Sequence, residues 1–413
     1  MNKLRYLPIG IQTFEKIRVD NAVYVDKTQF IEELTRYKCP YFLSRPRRFG
    51  KSLFLSTLRS YFEGRKDLFE GLAISKTETE WKQYPVFYFD FTGKSYETVD
   101  DLILKIGDTL SGLEKIYGKK TESSDIAIRF KNLIEAAYEK TGSQVVVLVD
   151  EYDKPLLQNV DNPEVEEKIR SILKGFYGNL KGEDQYLKFV FITGVTRFDK
   201  VSIFSDLNNL NDISLSETYS AICGISQEEL EANFAPEIEN MAEKNGYTKE
   251  ECIARLKKNY DGYHFSKILN NDIYNPFSLL KAFSDLSFGS YWFSTGTPTF
   301  LTKMMLDMSF DYKSLEEGID VDSRSLEEYR LNATEPVPLL YQTGYLTIKN
   351  YEKDFDSYTI GVPNEEVKFG MYKRLLPLYL GYPIAYQNDG RKIVKVGVNY
   401  SSEEKQLTEW VIE

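Results

Sequence analysis

The stretch Tyr41-Phe-Leu-Ser-Arg-Pro-Arg-Arg-Phe-Gly-Lys-Ser-Leu-Phe-Leu-Ser-Thr-Leu58 allows few folds. It opens on a short apolar run, Tyr41 to Leu43, that reads as a buried strand. A cationic loop, Ser44 to Gly50, follows, and Lys51-Ser52 starts an apolar segment of helix length, Leu53 to Phe62. Strand, loop, Gly-Lys-Ser and helix stand in the order a phosphate-binding loop requires. Backbone N–H groups in the first turn of a helix are open to an anion, and the helix dipole favours negative charge there. The sequence therefore predicts that Arg45, Pro46, Arg47, Arg48, Phe49, Gly50, Lys51, Ser52 and Leu53 form a loop around nucleotide phosphates. Lys51 is expected at the β- and γ-phosphates as a catalytic charge, and Ser52 on a Mg²⁺ ion. The full pattern has a glycine where this chain has Arg45, so the tight turn needs another backbone solution, one that Pro46 can fix. A basic turn ahead of an ordinary helix is the plain alternative for this stretch taken alone.

A second segment changes that balance. Gln144-Val-Val-Val-Leu-Val-Asp150-Glu151 contains five consecutive apolar residues, four of them valine. Such a run reads as a central parallel strand buried on both faces. Parallel sheets present ligands at the carboxyl ends of their strands. Asp150 is thus expected beside Ser52 as a metal ligand, and Glu151 as the residue that orients an attacking water. The alternative is a buried strand that ends in a solvated acidic turn. Leu187 to Arg197 is another apolar strand with a polar end. Thr193 suits a γ-phosphate sensor and Arg197 a charge that reaches the phosphates; a strand end followed by a surface arginine stands nearly level with that reading. Val86 to Phe91 is a further strand, which Asp90 is expected to end. Helical segments at Tyr96–Tyr117, Ser124–Lys140 and Pro163–Leu180 alternate with these strands, and Pro155 is placed to open a helix. Upstream, Asn21 to Asp26 reads as a short strand, and Thr28 as the cap of a helix from Gln29 to Tyr37. Residues 1–214 are therefore expected to form an α/β unit, a parallel sheet with flanking helices.

Past residue 214 the character changes. Ser226–Lys244, Thr248–Lys258 and Asn275–Ser284 read as helices with solvated acidic faces, and Ser226 as a capped start. Residues 215–350 are expected to form a helical lid, with aromatic turns at Tyr260–Phe265 and Tyr291–Thr297 packed between helices. Leu339 to Ile348 has a helix-to-strand pattern. Beyond it come Tyr358 to Asn364, an apolar helix from Lys368 to Leu380, and a strand-like Lys392 to Asn399, so residues 351–413 form a small α+β portion. Lys and Arg total 52 against 63 Asp and Glu, a net charge of −11. That argues against a chain coated for nucleic acid, while a local basic groove stays open. With one histidine, His264, any His-based triad or His-rich metal site rests on that residue. Cys39, Cys223 and Cys252 have no paired spacing, which argues against a disulfide framework or zinc knuckle and for a reducing compartment. No apolar run reaches membrane length, and the N-terminus lacks an apolar signal core, so a cytoplasmic location is expected.

Tyr24-Val-Asp-Lys-Thr28, Phe42-Leu-Ser-Arg-Pro-Arg-Arg-Phe-Gly-Lys-Ser52, Val149-Asp-Glu-Tyr-Asp153 and Thr193-Gly-Val-Thr-Arg197 together resemble the bacterial AAA-ATPase-like family. Its members are predicted P-loop ATPases, usually fused to a C-terminal PD-(D/E)XK nuclease domain. The resemblance implies that Arg45 belongs to the family's own form of the loop. It also implies ATP rather than GTP, bound through Gly50, Lys51 and Ser52, with Asp150 and Glu151 handling Mg²⁺ and water. The tail departs from the family. Pro363 to Val367 resembles the entry of the nuclease domain. Tyr382 to Tyr386 and Asn388 to Val398, running on to Ile412, resemble its end. The catalytic middle is missing between Leu380 and Gly381. In this tail only Glu366-Val-Lys368 and Glu403-Glu-Lys405 have the Glu-x-Lys form a nuclease needs, neither is expected to have a partner Asp on a neighbouring strand, and Asp389 reads as part of a hairpin turn. The expectation is a Mg²⁺-dependent ATPase that acts as a switch or motor, with an inactive nuclease remnant. Two other classes stay open: a nucleotide-gated interaction protein without turnover, and a nucleic-acid-processing enzyme whose nuclease works. Self-association and the identity of a protein or nucleic-acid partner are open as well.

Overall fold

The computed structural model describes residues 5–197, 203–269, 271–292, 318–327, 336–380, 393–401 and 404–412. The chain divides into two compact units, Met1–Met371 and Tyr372–Glu413. The first is built on five strands: β1 Tyr41–Ser44, β2 Val86–Asp90, β3 Val145–Asp150, β4 Leu187–Gly194 and β5 Asn211–Asp212. Their order is β2-β3-β4-β1-β5, and every pairing is parallel. All six residues of β3 are buried, as its valine run predicts. Register places Asp90 opposite Asp150 and Ser44 opposite Gly194, so these strand ends share one edge of the sheet.

Side chains alternate across each strand, and this sorts the core into two layers. Phe87, Phe89, Val147, Val149 and Ile192 belong to one large cluster with residues of α4 Val99–Tyr117, α5 Ile126–Thr141 and α7 Pro163–Gly182. Phe130 of α5 stacks on Phe176 of α7 with ring centroids 4.4 Å apart. Each fully buried phenylalanine of this kind is worth ~1.5–3 kcal/mol. Phe189 and Phe191 instead meet Phe62 and Phe54 of α3, Lys51–Phe62. Ahead of α3 come α1 Phe14–Val19 and α2 Gln29–Arg36; a short α6, Lys154–Leu157, follows β3 with Pro155 in its first turn.

Capping chemistry moves several boundaries from their expected places. The α4 helix starts at Val99 because Thr98 and Asp101 form a capping box, and α5 starts at Ile126 because Asp125 accepts from the N–H groups of Ala127 and Ile128. Tyr96 is not helical; its hydroxyl donates to the carbonyl of Phe91 at 2.9 Å. Asp90 ends its strand as expected, accepting from the backbone and hydroxyl of Thr92. Two expectations fail. Residues 22–26 form no strand, and Thr28 does not cap α2. The Thr28 hydroxyl donates to Asp26 and accepts from the backbone of Ile74, while the other Asp26 oxygen accepts from Ala73. Lys27 reaches the carbonyl of Ala221 at 2.7 Å and both Glu229 oxygens at 2.6 Å. The Asp-Lys-Thr stretch is thus a strut between the turn at Ala73–Ile74 and the first of the helices beyond the sheet.

Those helices are α8 Gln227–Asn245, α9 Lys249–Tyr260 and α10 Pro276–Asp285. Ser226 and Glu229 form the capping box expected at the first, Thr248 and Glu251 form one at the second, and Asn275 caps the third. They share a core around Leu230, Ile238, Met241, Leu256 and Phe283, against which Leu7, Val23 and Val25 also pack. Two-residue strands β6 Ile225–Ser226 and β7 Ile273–Tyr274 pair beside it. A three-stranded antiparallel sheet follows, in the order β8 Ile319–Asp322, β10 Ser357–Gly361 and β9 Thr347–Glu352. A domain border at residue 350 would cut through β9. Helices α11 Ser323–Glu327, α12 Val337–Thr343 and α13 Glu365–Leu380 complete the helix set of the described residues. In the second unit β11 Ile393–Ser401 and β12 Glu404–Ile412 pair as an antiparallel hairpin. Residues 293–297 of the second aromatic turn, Gly381, the stretch Tyr382–Tyr386, Asp389 and Glu403 lie outside the described residues.

Candidate functional site

The loop between β1 and α3 is fixed from below and from the side. Gly50 has φ 99° and ψ 15° at the N-cap of α3. An added Cβ there would meet nothing within 4 Å, so the left-handed backbone alone asks for glycine. Phe49 is fully buried, edge-on to Tyr263 and Phe265, and its carbonyl accepts from Gly224 at 2.9 Å. The Trp292 indole donates to the carbonyl of Arg47 at 3.2 Å. Pro46 packs against Gly344 so closely that a Cβ on that glycine would lie 2.7 Å from the proline Cβ. Lys51 is 4% exposed, and its ammonium donates to the carbonyls of Arg45 at 2.8 Å and Pro46 at 3.1 Å. Two of its three donors thus brace the loop in which it sits.

Asp150 is buried at the end of β3. Burial raises its pKa; the hydroxyls of Ser52 and Thr193 and the charge of Lys51 pull it back. Thr193 donates to one carboxylate oxygen at 2.8 Å, and the Tyr88 hydroxyl stands 3.4 Å from the other. Glu151 follows with φ 52°. For a residue with a Cβ this left-handed backbone costs ~1–2 kcal/mol. Such strain persists only where the surroundings hold it in place. Here Tyr152 donates its N–H to the carbonyl of Thr193 and Asp153 is fully buried. The Asp153 carboxylate accepts from the N–H groups of Val195 and Thr196 and from the Thr196 hydroxyl, while burial raises its pKa. Glu151 consequently turns toward the cleft, whereas Asp150 stays behind Ser52. Asp153 was passed over in the sequence. Its only signal is an acid two residues past an acidic pair, and its partners lie on the next strand.

The cleft holds about 430 Å³, within the ~300–1,000 Å³ of small-molecule sites. Arg47, Arg48, Gly50, Lys51, Ser52 and Leu53 form one wall, with Glu151 beside them. Pro8, Gly10, Ile11 and Gln12 form another. Pro276, Phe277 and Leu280 of α10, with Trp292, Thr343 and Tyr345, close the rest. These last two walls were not legible beforehand, because irregular chain and one face of a solvated helix carry no periodic mark. Three cations against one carboxylate make the lining attractive to a polyanion. Ser52 and Asp150 offer adjacent oxygen donors of the kind Mg²⁺ takes. Among the described residues no group of three or more His, Cys, Asp and Glu side chains could hold a metal. The other ligands of such an ion would come from phosphate and water.

Not every expected residue reaches this cleft. The Arg45 side chain is 1% exposed and runs under the loop, donating to the carbonyls of Ser44, Ser214 and Tyr219. Its N–H donates to Gly194, so strand geometry carries one residue past β1 and takes the side chain into the protein. Arg197 donates from Nε and Nη2 to Asp212 at 3.1 and 2.6 Å. It lines a separate cavity of about 10 Å³ with Arg45 and Pro46. Both arginines were expected on the phosphates, and both are committed elsewhere by buried partners. Thr193 is fully buried and acts on Asp150 from behind.

A family model described as Predicted AAA-ATPase matches residues 8–204. That span runs from the Pro8–Gln12 wall through the phosphate loop to both acids and Thr193. The chain is also 40% identical over 380 residues to an uncharacterised protein in the vnfD 5′ region of Azotobacter chroococcum mcd 1, a match covering 91% of this chain and 71% of that protein. No helix among the described residues is long and apolar enough to cross a membrane. With a five-stranded parallel sheet, Gly-Lys-Ser at the start of α3 and two acids at the end of β3, the chain belongs to the predicted AAA-ATPase family.

Proposed function

We propose that the protein binds Mg·ATP in this cleft and hydrolyses the γ-phosphate, using the nucleotide as a switch. The observation that carries the reading is that Lys51, Ser52 and Glu151 line one cleft while Asp150 is hydrogen-bonded behind Ser52. Lys51 and the N–H groups of the first turn of α3 offset charge on the β- and γ-phosphates. Ser52 and Asp150 hold Mg²⁺, which when bound neutralises charge across those phosphates. Glu151 orients a water. The water oxygen bonds to the γ-phosphorus, the bond to the bridging oxygen breaks, and its electron pair leaves on ADP. The water proton passes through Glu151 to solvent. Thr193 and Tyr88 keep the Asp150 carboxylate in place. Residues 215–350 serve as the lid, through the α10 wall, in a cytoplasmic protein.

The test is calorimetric titration of ATP with Mg²⁺ into the wild-type chain and Lys51→Ala, followed by phosphate release. The variant should bind ~30-fold to 1,000-fold more weakly, the effect of ~2–4 kcal/mol for a charge-stabilising donor in a dry site. Equal affinity in the two proteins removes Lys51 from the phosphates. Tight binding with no phosphate release makes the protein a nucleotide-gated switch without turnover.

Residues 351–413 fit an inactive nuclease remnant. Glu366, half of one Glu-x-Lys candidate, is 3% exposed on α13 and accepts from the backbone of Trp292 at 2.7 Å. Plasmid, single-stranded DNA and RNA incubated with the protein and Mg²⁺ or Mn²⁺ should stay intact. Cleavage that disappears in Glu366→Ala would overturn this. Burial pushes the Glu366 carboxyl up to about 7 from its ordinary 4.5. A raised carboxyl contributes stability below its ordinary value and loses it as pH rises through the folded one. Unfolding free energy should therefore fall by at most ~3 kcal/mol between pH 4.5 and 8 through this group. Glu366→Gln should flatten that slope in urea melts; an unchanged slope would assign the pH dependence elsewhere.

A further inference from the structure

Arg47 and Arg48 both belong to the cleft wall. Among the described residues neither Arg47 nor Arg48 has a carboxylate within ion-pair distance, although the chain carries an excess of acids. Neighbouring cations are all engaged. Lys27 meets Glu229, Arg197 meets Asp212, and Arg45 and Lys51 rest on carbonyls. Arg48 holds a left-handed backbone, φ 68°, and its guanidinium carbon lies 3.9 Å over the ring of Phe277. Phe277 belongs to the first turn of α10, in another wall of the cleft. Arg48 thus spans from the phosphate loop to the helical part of the fold. Partial burial and the charge of Arg47 beside it both lower its pKa, so the spot already carries more positive charge than its surroundings favour.

A cation over a half-buried ring at the cleft wall is a weak contact, and a paired contact with phosphoryl oxygens is stronger. We propose that Arg48 supplies, from within the same chain, the arginine that contacts the γ-phosphoryl group. It rests on Phe277 beside ADP. With ATP it leaves the ring, closes on the γ-phosphoryl oxygens, and stabilises their charge during transfer. The guanidinium stays protonated throughout and exchanges no atoms with the substrate. Arg47, whose carbonyl is held by Trp292, adds charge at the mouth of the cleft. An arginine from a second copy is then unnecessary, and release from Phe277 tells α10 which nucleotide is bound. This rests on the cleft being the ATP site.

The experiment compares wild type, Arg48→Ala and Arg48→Lys, each also carrying Glu151→Gln for the binding arm so that ATP survives. Calorimetry gives ADP and ATP affinities; turnover per chain is measured in the Glu151 background over a wide range of protein concentration. Arg48 is exposed, and circular dichroism confirms that each variant is folded. In Arg48→Ala, ADP affinity should change less than about threefold while ATP affinity falls at least about tenfold. Turnover should fall on the order of 100-fold or more, with Arg48→Lys between the two. Turnover per wild-type chain should not depend on concentration. Equal losses for ADP and ATP, or wild-type behaviour in Arg48→Ala, overturn the inference and leave the ATP site standing. Turnover that rises with concentration and ignores Arg48→Ala assigns the arginine to a neighbouring copy. A wild-type chain that binds no nucleotide overturns the reading of the cleft itself.

Discussion

Glu151→Gln should bind Mg·ATP within about threefold of wild type and hydrolyse it at least ~100-fold more slowly, the usual weight of a positioned general base. Glutamine has the same shape and meets the same left-handed backbone, so the fold is unaffected. It cannot take a proton from water. Asp150→Asn should behave differently. Asp150 is held by the Ser52 and Thr193 hydroxyls rather than facing the cleft, so its loss should remove the Mg²⁺ dependence of ATP binding. Burial raises the Asp150 pKa, so its ionised form opposes folding above the ordinary carboxylate range and this opposition fades as pH falls. Without metal at neutral pH, Asp150→Asn should therefore melt no lower than wild type; wild type should gain more from ATP with Mg²⁺ than from ATP alone, and Asp150→Asn should gain equally from both. Calorimetry, phosphate release and thermal melts on the same samples separate the two acids. If both substitutions produce one common defect, they do not divide the labour as proposed.

Arg45→Ala should cost about 3 kcal/mol of stability. The guanidinium is buried, donates to three carbonyls and lies 4.2 Å over the ring of Phe265. Its removal strands those carbonyls at ~1–3 kcal/mol apiece and leaves a cavity. Part of the loss is offset, because burial, the largest influence on it, already pulls the Arg45 pKa down to about 10. Arg45→Lys should not restore stability, since an ammonium cannot reproduce a planar fork with three separate acceptors. Urea unfolding gives the answer, and a change under ~1 kcal/mol for Arg45→Ala would show that the strut is unimportant.

Arg45 also marks where the sequence stops being readable. Motif spacing locates a residue along a loop and says nothing about which way its side chain leaves. One further sheet hydrogen bond, from Arg45 to Gly194, decides that direction. The engagement of Arg197 was hidden for a related reason. Its partner Asp212 lies on the edge strand β5, too short at two residues to be recognised by pattern. By contrast β3, β4 and the α3 start were legible, because valine-rich runs and Gly-Lys-Ser have few other uses. Glu151 was placed at the strand end by counting, but its left-handed backbone was not foreseeable, since nothing about glutamate favours it. The Asp-Lys-Thr motif was visible and its purpose was not. Lys27 meets partners about two hundred residues away, at Ala221 and Glu229.

The same reach along the chain governs when the phosphate loop takes shape. Its flank is pressed by Gly344 and pinned by Trp292, residues made long after the strands it connects. Contacts of such separation close late, because the intervening chain must be ordered first. During synthesis the sheet can assemble from the first two hundred residues while the loop still lacks its outer support. A protein cut back to the span 8–204 would keep every lysine and acid of the motif and lose the walls that α10, Trp292 and Tyr345 provide. A cleft with all its walls therefore belongs to the compact body that ends at Met371, not to the segment that carries the signature.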